Sequence, residues 1–188
     1  SKKIVFMGTP EFSVQTLEAL KKSSFEISCV YTQPPKKSAR GQNINSSAVQ
    51  IKAEKLSLNV RSPENLNSEG ELKYFKSLNP YIAIVVAYGK IIPEDYLSIP
   101  EKGFLNIHAS LLPKWRGAAP IQRAIMNLDK ESGISFMKIQ KDLDTGPYMM
   151  QINTKIDEQT STLDLSNELS NLGARNIIKC LELIKNDN

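Results

Sequence analysis

Seven consecutive apolar residues, Tyr81-Ile-Ala-Ile-Val-Val-Ala87, stand between Pro80 and the pair Tyr88-Gly89. A strand with one face in water alternates apolar and polar side chains. A strand that is apolar at every position is buried on both faces, which places it in the middle of a parallel sheet covered by helices. The N-terminal residues agree. Lys3-Ile-Val-Phe-Met7 reads as a strand, Gly8-Thr9-Pro10 as a turn, and Phe12, Val14, Leu17 and Leu20 follow at helical spacing. Pro10 suits a first helical turn, and Thr9 is the expected cap. Ile27 to Tyr31 is the next strand, so the chain opens with a βαβ unit and the class is α/β.

Thr32 to Ser47 breaks this rhythm with Pro34-Pro35-Lys36-Lys37, Arg40-Gly41 and several Asn and Ser residues, and is expected to be a long surface loop. Helices are expected over about 47–58 and 69–77, with a short strand near Val60 between them. Phe104 to Ala109 is a further strand, and 118–128 a helix that tolerates Pro120 in its first turn. Gly133 to Ile139 and Tyr148 to Ile156 read as antiparallel strands, joined by the turn-rich stretch Lys141-Asp-Leu-Asp-Thr-Gly-Pro147. A long helix closes the chain over about 162–184, with Leu163, Leu165, Leu169, Leu172, Ile177, Ile178, Leu181 and Ile184 on its apolar side. The expected architecture is a Rossmann-like, open, mostly parallel sheet with helices on both faces and antiparallel strands toward the C-terminal side.

With 188 residues, 40% of them hydrophobic, the chain can bury one substantial core, and a single domain is the expectation. No window reaches the roughly 18 uninterrupted apolar residues of a membrane span, and Ser1-Lys-Lys-Ile-Val runs into the first strand without a signal-peptide pattern. A cytoplasmic location follows. Cys29 and Cys180 lack metal-ligand or CxxC spacing and are expected to be buried thiols. The net charge of +4 suits an anionic partner without requiring one.

His108 is the only histidine, so any imidazole chemistry happens there. Within Phe104-Leu-Asn-Ile-His108 the period of two puts Asn106 and His108 on one face and Leu105 and Ile107 on the other. Asn106 offers an amide donor for a carbonyl oxygen, and a histidine titrates near neutrality, a pair fit for acyl-type chemistry. In an open α/β sheet ligands bind beyond the carboxyl ends of the strands, where Gly8-Thr9, Tyr88-Gly89 and Asn106 to His108 would meet. Gly8-Thr-Pro is no GxGxxG and there is no Walker lysine, so these glycines are expected to serve tight turns. Asp144, in Asp-Thr-Gly-Pro147, can serve a turn or orient an imidazole.

The string NIHASLLPKWRG (Asn106 to Gly117), continued by AAPIQ and later by LDTGP (Leu143 to Pro147), resembles the methionyl-tRNA formyltransferase family. FMGTPEF near the start, TQP at Thr32, ARG at Ala39 and VVAYG at Val85 extend the resemblance over essentially the whole chain. It implies the formyltransferase fold and formyl transfer from 10-formyltetrahydrofolate to the α-amino group of methionine on initiator tRNA. Asn106, His108 and Asp144 would carry this chemistry, with no metal or covalent intermediate. Asn106 would donate to the oxyanion. His108 would accept the amine's proton directly or through water, or steady the oxyanion, and Asp144 would orient His108.

The resemblance further assigns the folate region to Tyr88, Gly89, Ile91, Ile92, Leu97, Leu105, Ser110, Leu111, Leu112, Pro113, Ile139 and Asp142. It assigns tRNA contacts to Lys36, Lys37 and Arg40 of the loop at about 33–47, and makes the Trp115-Arg116 segment part of the entrance to the site. Residues 1–188 would form the catalytic domain, a monomer. The family's C-terminal β-barrel domain, which helps bind tRNA, would be absent, so a fragment of a longer protein is expected. Two other readings remain: a folate-dependent formyltransferase for a small-molecule amine such as a nucleotide precursor or amino sugar, and a non-catalytic folate- or RNA-binding module.

Overall fold

β1 (Lys3–Gly8) and β6 (Ile82–Val86), the two most apolar strands, lie side by side at the centre of a seven-stranded sheet. This computed structural model describes residues 1–38, 41, 43–141 and 146–186. After β1 come a 3-10 turn at Glu11–Ser13, α1 (Val14–Lys21), β2 (Glu26–Tyr31), the two-residue strands β3 (Lys36–Lys37) and β4 (Ile44–Asn45), α2 (Ala48–Lys55), β5 (Val60–Arg61) and α3 (Glu69–Ser77). β6 is followed by α4 (Glu94–Leu97), β7 (Phe104–His108), α5 (Pro120–Met126), β8 (Glu131–Lys138), β9 (Tyr148–Lys155) and α6 (Thr162–Asn186). The sheet order is β5-β2-β1-β6-β7-β8-β9, parallel from β5 to β7 and antiparallel from β7 to β9. The chain builds outward from β1 to β2 and β5, then crosses to β6 on β1's other side. The carboxyl ends of β1 and β6 therefore flank a topological switch point.

Alternation along the strands divides the core in two. Ile4, Phe6, Ile84, Leu105, Ile107, Ile134 and Phe136 face α1 and α6, packing with Leu17, Leu20, Leu169, Ile177 and Leu181. Val5, Met7, Ala83, Val85 and Phe104 face the other way, against Phe75, Tyr96 and Tyr31. Each fully buried Leu or Ile contributes about 1.5–3 kcal/mol, so α6, which buries Leu165, Leu169, Ile177, Leu181 and Ile184, is the main clamp on its face. Its first turn is fixed reciprocally: Ser161 Oγ accepts from Asp164 N–H and Asp164 Oδ2 from Ser161 N–H, both at 3.0 Å. The two cysteines are buried and unbonded. No helix among the described residues is long and apolar enough to cross a membrane.

Three local expectations change. Thr9 does not cap a helix; its hydroxyl donates to the Tyr88 carbonyl at 2.7 Å, and Pro10 holds the N-cap position without a side-chain bond. The long surface loop contains the antiparallel pair β3–β4, which brings Lys36 and Lys37 out on an exposed two-stranded ribbon. The expected helix over 118–128 is confined to Pro120–Met126, with Ala119 in the left-handed region at its start.

Candidate active site

Gly8 ends β1 because nothing larger fits there. A Cβ on Gly8 would lie 2.8 Å from the Val86 carbonyl oxygen, so the two central strands can close at their carboxyl ends only over a bare glycine. Ser13 Oγ donates to that same carbonyl. Beyond β6, Ala87 and Gly89 both have positive φ, 51° and 80°, and turn the chain out of the sheet. Gln33 locks this turn: its Nε2 donates to the Tyr88 carbonyl at 3.1 Å, its backbone N–H to Thr9 Oγ1 at 3.3 Å. Thr32 Oγ1 and Ser47 Oγ, 2.6 Å apart, clasp the two ends of the β3–β4 excursion beside it. The root of the basic ribbon is thus fastened to the Tyr88-Gly89 turn.

β7 places Leu105 and Ile107 in the α6-side core, so Asn106 and His108 share the opposite face, about 7 Å apart along the strand. Met137 and Ser135 of β8 lie across from them in register. α3 and α4 cover this face only as far as Phe104, which stacks on Phe75 at 5.8 Å between ring centroids. The segment after β7 covers it from the other side. Ser135 Oγ donates to the Ser110 carbonyl (2.7 Å) and accepts from Leu112 N–H (3.0 Å) and Gln151 Nε2 (2.9 Å), and Gln151 Nε2 also donates to the Leu112 carbonyl (2.9 Å). Leu111 lies over Gly133, where an added Cβ would meet Leu111 Cδ2 at 2.6 Å. Asn106 is left between these two covers, half-buried, and its side-chain amide has no hydrogen bond among the described residues.

His108 is 8% exposed, and its Nε2 lies 2.9 Å from the Trp115 carbonyl oxygen. A carbonyl only accepts, so Nε2 carries a hydrogen and the lone pair of the neutral ring sits on Nδ1. Trp115 itself is held in the left-handed region, φ 56°, and its indole Nε1–H donates to Asp129 Oδ2 at 2.7 Å. An open cavity of about 290 Å³ lies on this side of the segment, lined by Leu111, Pro113, Lys114, Trp115, Asp129 and Glu131.

The residues expected to meet folate separate into groups. Ile92, Leu97 and Ile139 come together at the rim of the Phe75-Tyr96-Phe104 cluster, on the same face as Asn106. Ile139 N–H donates to the Phe104 carbonyl at 2.9 Å, and Lys141 Nζ lies 3.8 Å from Glu94 of α4, which brings the 139–141 segment beside α4. Gly89 supplies the turn above. Ile91 is 89% exposed. Tyr88 buries its ring in the core, where desolvation raises its phenol well above the ordinary value, so it presents only backbone to a ligand. Leu105 points away, into the α6-side core. Ser110 and Leu112 are buried within the post-β7 segment, whereas Leu111 and Pro113 border its cavity. Lys36 and Lys37 are exposed on the ribbon. Arg40, Asp142 and Asp144 lie outside the described residues. Among the described residues no cluster of His, Cys, Asp and Glu side chains is arranged to hold a metal ion. The residues that sequence reasoning missed are Gln33 and Asp129. Gln33 sits in the TQP string of the resemblance, which gave it no site role; the Trp115 indole N–H requires an acceptor, which the structure supplies as Asp129.

A family model described as Formyl transferase matches residues 2–181. The chain is 53% identical over 188 residues to a methionyl-tRNA formyltransferase of Pelagibacter ubique, covering 100% of this chain and 61% of that protein. It is 49% identical over 179 residues to one of Roseobacter denitrificans, covering 95% and 59%. The chain thus spans about 60% of the length of these curated relatives. Among solved structures, phosphoribosylglycinamide formyltransferase of Anaplasma phagocytophilum superposes with a TM-score of 0.80 at 19% identity, over 100% of this chain and 88% of that one. A formyltetrahydrofolate deformylase of Pseudomonas syringae superposes with a TM-score of 0.78 at 18% identity, over 98% and 62%. At such identities these two report the shared fold.

Proposed function

The chain belongs to the formyl transferase family, and on that footing we propose that it is the catalytic part of an enzyme that formylates the α-amino group of methionine on initiator methionyl-tRNA in the cytoplasm. The observation that carries this reading is the pairing on one face of β7: a half-buried Asn106 amide, without a hydrogen bond among the described residues, and an imidazole whose proton is fixed on Nε2. 10-Formyltetrahydrofolate supplies the formyl carbon as electrophile and the nitrogen that leaves with the bonding electron pair. Asn106 donates to the carbonyl oxygen as negative charge builds on it. His108 takes the proton of the attacking amine at Nδ1, directly or through one water, as an imidazolium whose Nε2–H stays on the Trp115 carbonyl, and that proton then passes to the leaving nitrogen of the folate. Asp144 is assigned, in this reading, to orient His108 and to hold that cation by its negative charge.

The acyl donor's flat ring system is assigned to the rim formed by Ile92, Leu97 and Ile139, with the backbone of the Tyr88-Gly89 turn and of the 139–142 segment reading its polar edge. Lys36, Lys37 and Arg40 are assigned to backbone phosphates near the acceptor end of the RNA. The ribbon suits this by projecting from a root bonded to the Tyr88 carbonyl.

Acceptor competition tests the reading. The chain is given 10-formyltetrahydrofolate with methionyl-initiator tRNA, phosphoribosylglycinamide or an amino sugar nucleotide, and the formylated product is identified. Formylmethionyl-tRNA alone is the expected product. Formylation of a small amine with none of the tRNA would replace this reading by the small-molecule one.

A further inference from the structure

Trp115 occupies a backbone conformation that a bulky side chain rarely adopts, φ 56°. Such a conformation persists where its surroundings over-determine it, and here they do so through one carboxylate. Asp129 Oδ2 accepts the indole Nε1–H at 2.7 Å, and Oδ1 accepts from Asn127 Nδ2 at 2.7 Å and lies 3.0 Å from Lys114 Nζ. The Asp129 side chain is only 4% exposed, whereas that of Lys114 is 58% exposed, so the lysine's charge is largely met by solvent and the buried bond is the indole's. Burial by itself would raise the Asp129 carboxyl, but the donations from Asn127, Trp115 and Lys114 outweigh it and hold it below the ordinary value. Arg123 brackets the same indole, with its guanidinium 5.4 Å from the ring centroid and NH2 donating to the Arg116 carbonyl at 2.5 Å. With the ring fixed at its outer edge and the following peptide tied down, the Trp115 carbonyl is aimed at His108 Nε2.

We propose that Asp129 is a positioning residue for His108: it anchors the Trp115 indole so that the Trp115 carbonyl keeps the imidazole in the Nε2–H form with its acceptor nitrogen turned to the substrate amine. The link runs from a carboxylate through one side chain and its own backbone to the imidazole, with both hydrogen bonds under 3 Å. Asp129 touches neither reactant. It rests on the reading of His108 as proton acceptor, but its first readout needs no substrate.

That readout is the imidazole N–H proton of His108 in NMR spectra of the full chain, unambiguous because the chain has one histidine. It is to be compared in Asp129→Ala, Asp129→Asn and Trp115→Phe, together with kcat and KM for formylation. The parent should show an Nε2-attached proton protected from exchange with water. Asp129→Ala and Trp115→Phe should both lose that protection and lower kcat by about 10- to 100-fold with KM unchanged, the scale of a small misplacement of a reacting group. Asp129→Asn keeps an oxygen acceptor for the indole and should restore most of both. The double variant Asp129→Ala with Trp115→Phe should be no worse than either single one. A protected proton and parental kcat in Asp129→Ala, even with reduced thermal stability, would overturn the proposal. So would a silent Trp115→Phe beside an impaired Asp129→Asn, since the charge rather than the indole bond would then matter. If the N–H behaves as expected while no formylation is detected, the functional reading fails and the positioning link stands.

Discussion

Leu105 and Ile107 on one side of β7 lie under α6 among fully buried aliphatic side chains, while Asn106 and His108 on the other side lie in a gap between α4 and the post-β7 segment. The four residues are consecutive and share one set of strand hydrogen bonds, yet one side holds the molecule together and the other is proposed to carry the chemistry. The difference comes from what covers each face. A 25-residue helix packs along one side of the sheet, whereas on the other Phe75 of α3 stacks on Phe104 and a separate, bonded loop lies over Ser135. The backbone fixes where Asn106 points, and no described residue hydrogen-bonds its amide. A rigid strand buried on its reverse face is a better mount for an oxyanion donor than a loop, because little reorganisation remains when charge develops.

The contrast can be broken by altering the two sides separately. Leu105→Ala should cost about 2–5 kcal/mol of unfolding free energy while the folded fraction keeps its turnover; chemical denaturation alongside single-turnover rates checks this. Asn106→Ala should do the reverse, slowing transfer by about 100- to 1000-fold, roughly 2.7–4 kcal/mol of barrier, with the melting temperature of the parent. Gly89→Ala and Gly103→Ala sharpen the comparison at the rim. Both have positive φ, 80° and 74°, but a Cβ on Gly89 would sit 2.0 Å from Gln33 Nε2, and one on Gly103 no closer than 3.9 Å to the Leu97 carbonyl oxygen. Each should lose on the order of 1 kcal/mol of stability from backbone strain. Only Gly89→Ala should also weaken folate binding in a titration, because it displaces the lock on the Tyr88 carbonyl. The smallest effect belongs to the ribbon. Lys36→Ala and Lys37→Ala should each reduce the slope of log affinity for RNA against log salt by roughly 0.7–0.9, with transfer from saturated complexes unchanged.

The central strands and the pairing of Asn106 with His108 were legible because a period of two and an unbroken apolar run each admit one geometry. The same period excludes a side-chain role for Leu105 in the site, since it has the parity of Ile107; the family resemblance brought it in, and the structure turns it toward α6. Thr9 was read as a cap because its local sequence allows one, but the Tyr88 carbonyl, 79 residues away, competes for the hydroxyl. No local pattern encodes that contact. The β3–β4 ribbon is held by a two-residue ladder and by the Thr32–Ser47 clasp at its root, too little regular pairing to leave an alternating pattern in the sequence. Asp129, just before β8, has no role in the sequence reading, and its partner Trp115 adopts a backbone conformation that sequence propensity disfavours.

The most direct measurement is single-turnover formylation of methionyl-initiator tRNA by this chain, run for the parent, Asn106→Ala and His108→Ala with the melting temperature of each recorded. The account predicts formylmethionyl-tRNA from the parent, loss of at least about 100-fold in rate in both variants, and three indistinguishable melting curves. Parental rates in either variant would contradict it, because the open face of β7 would then not be where the formyl group is transferred.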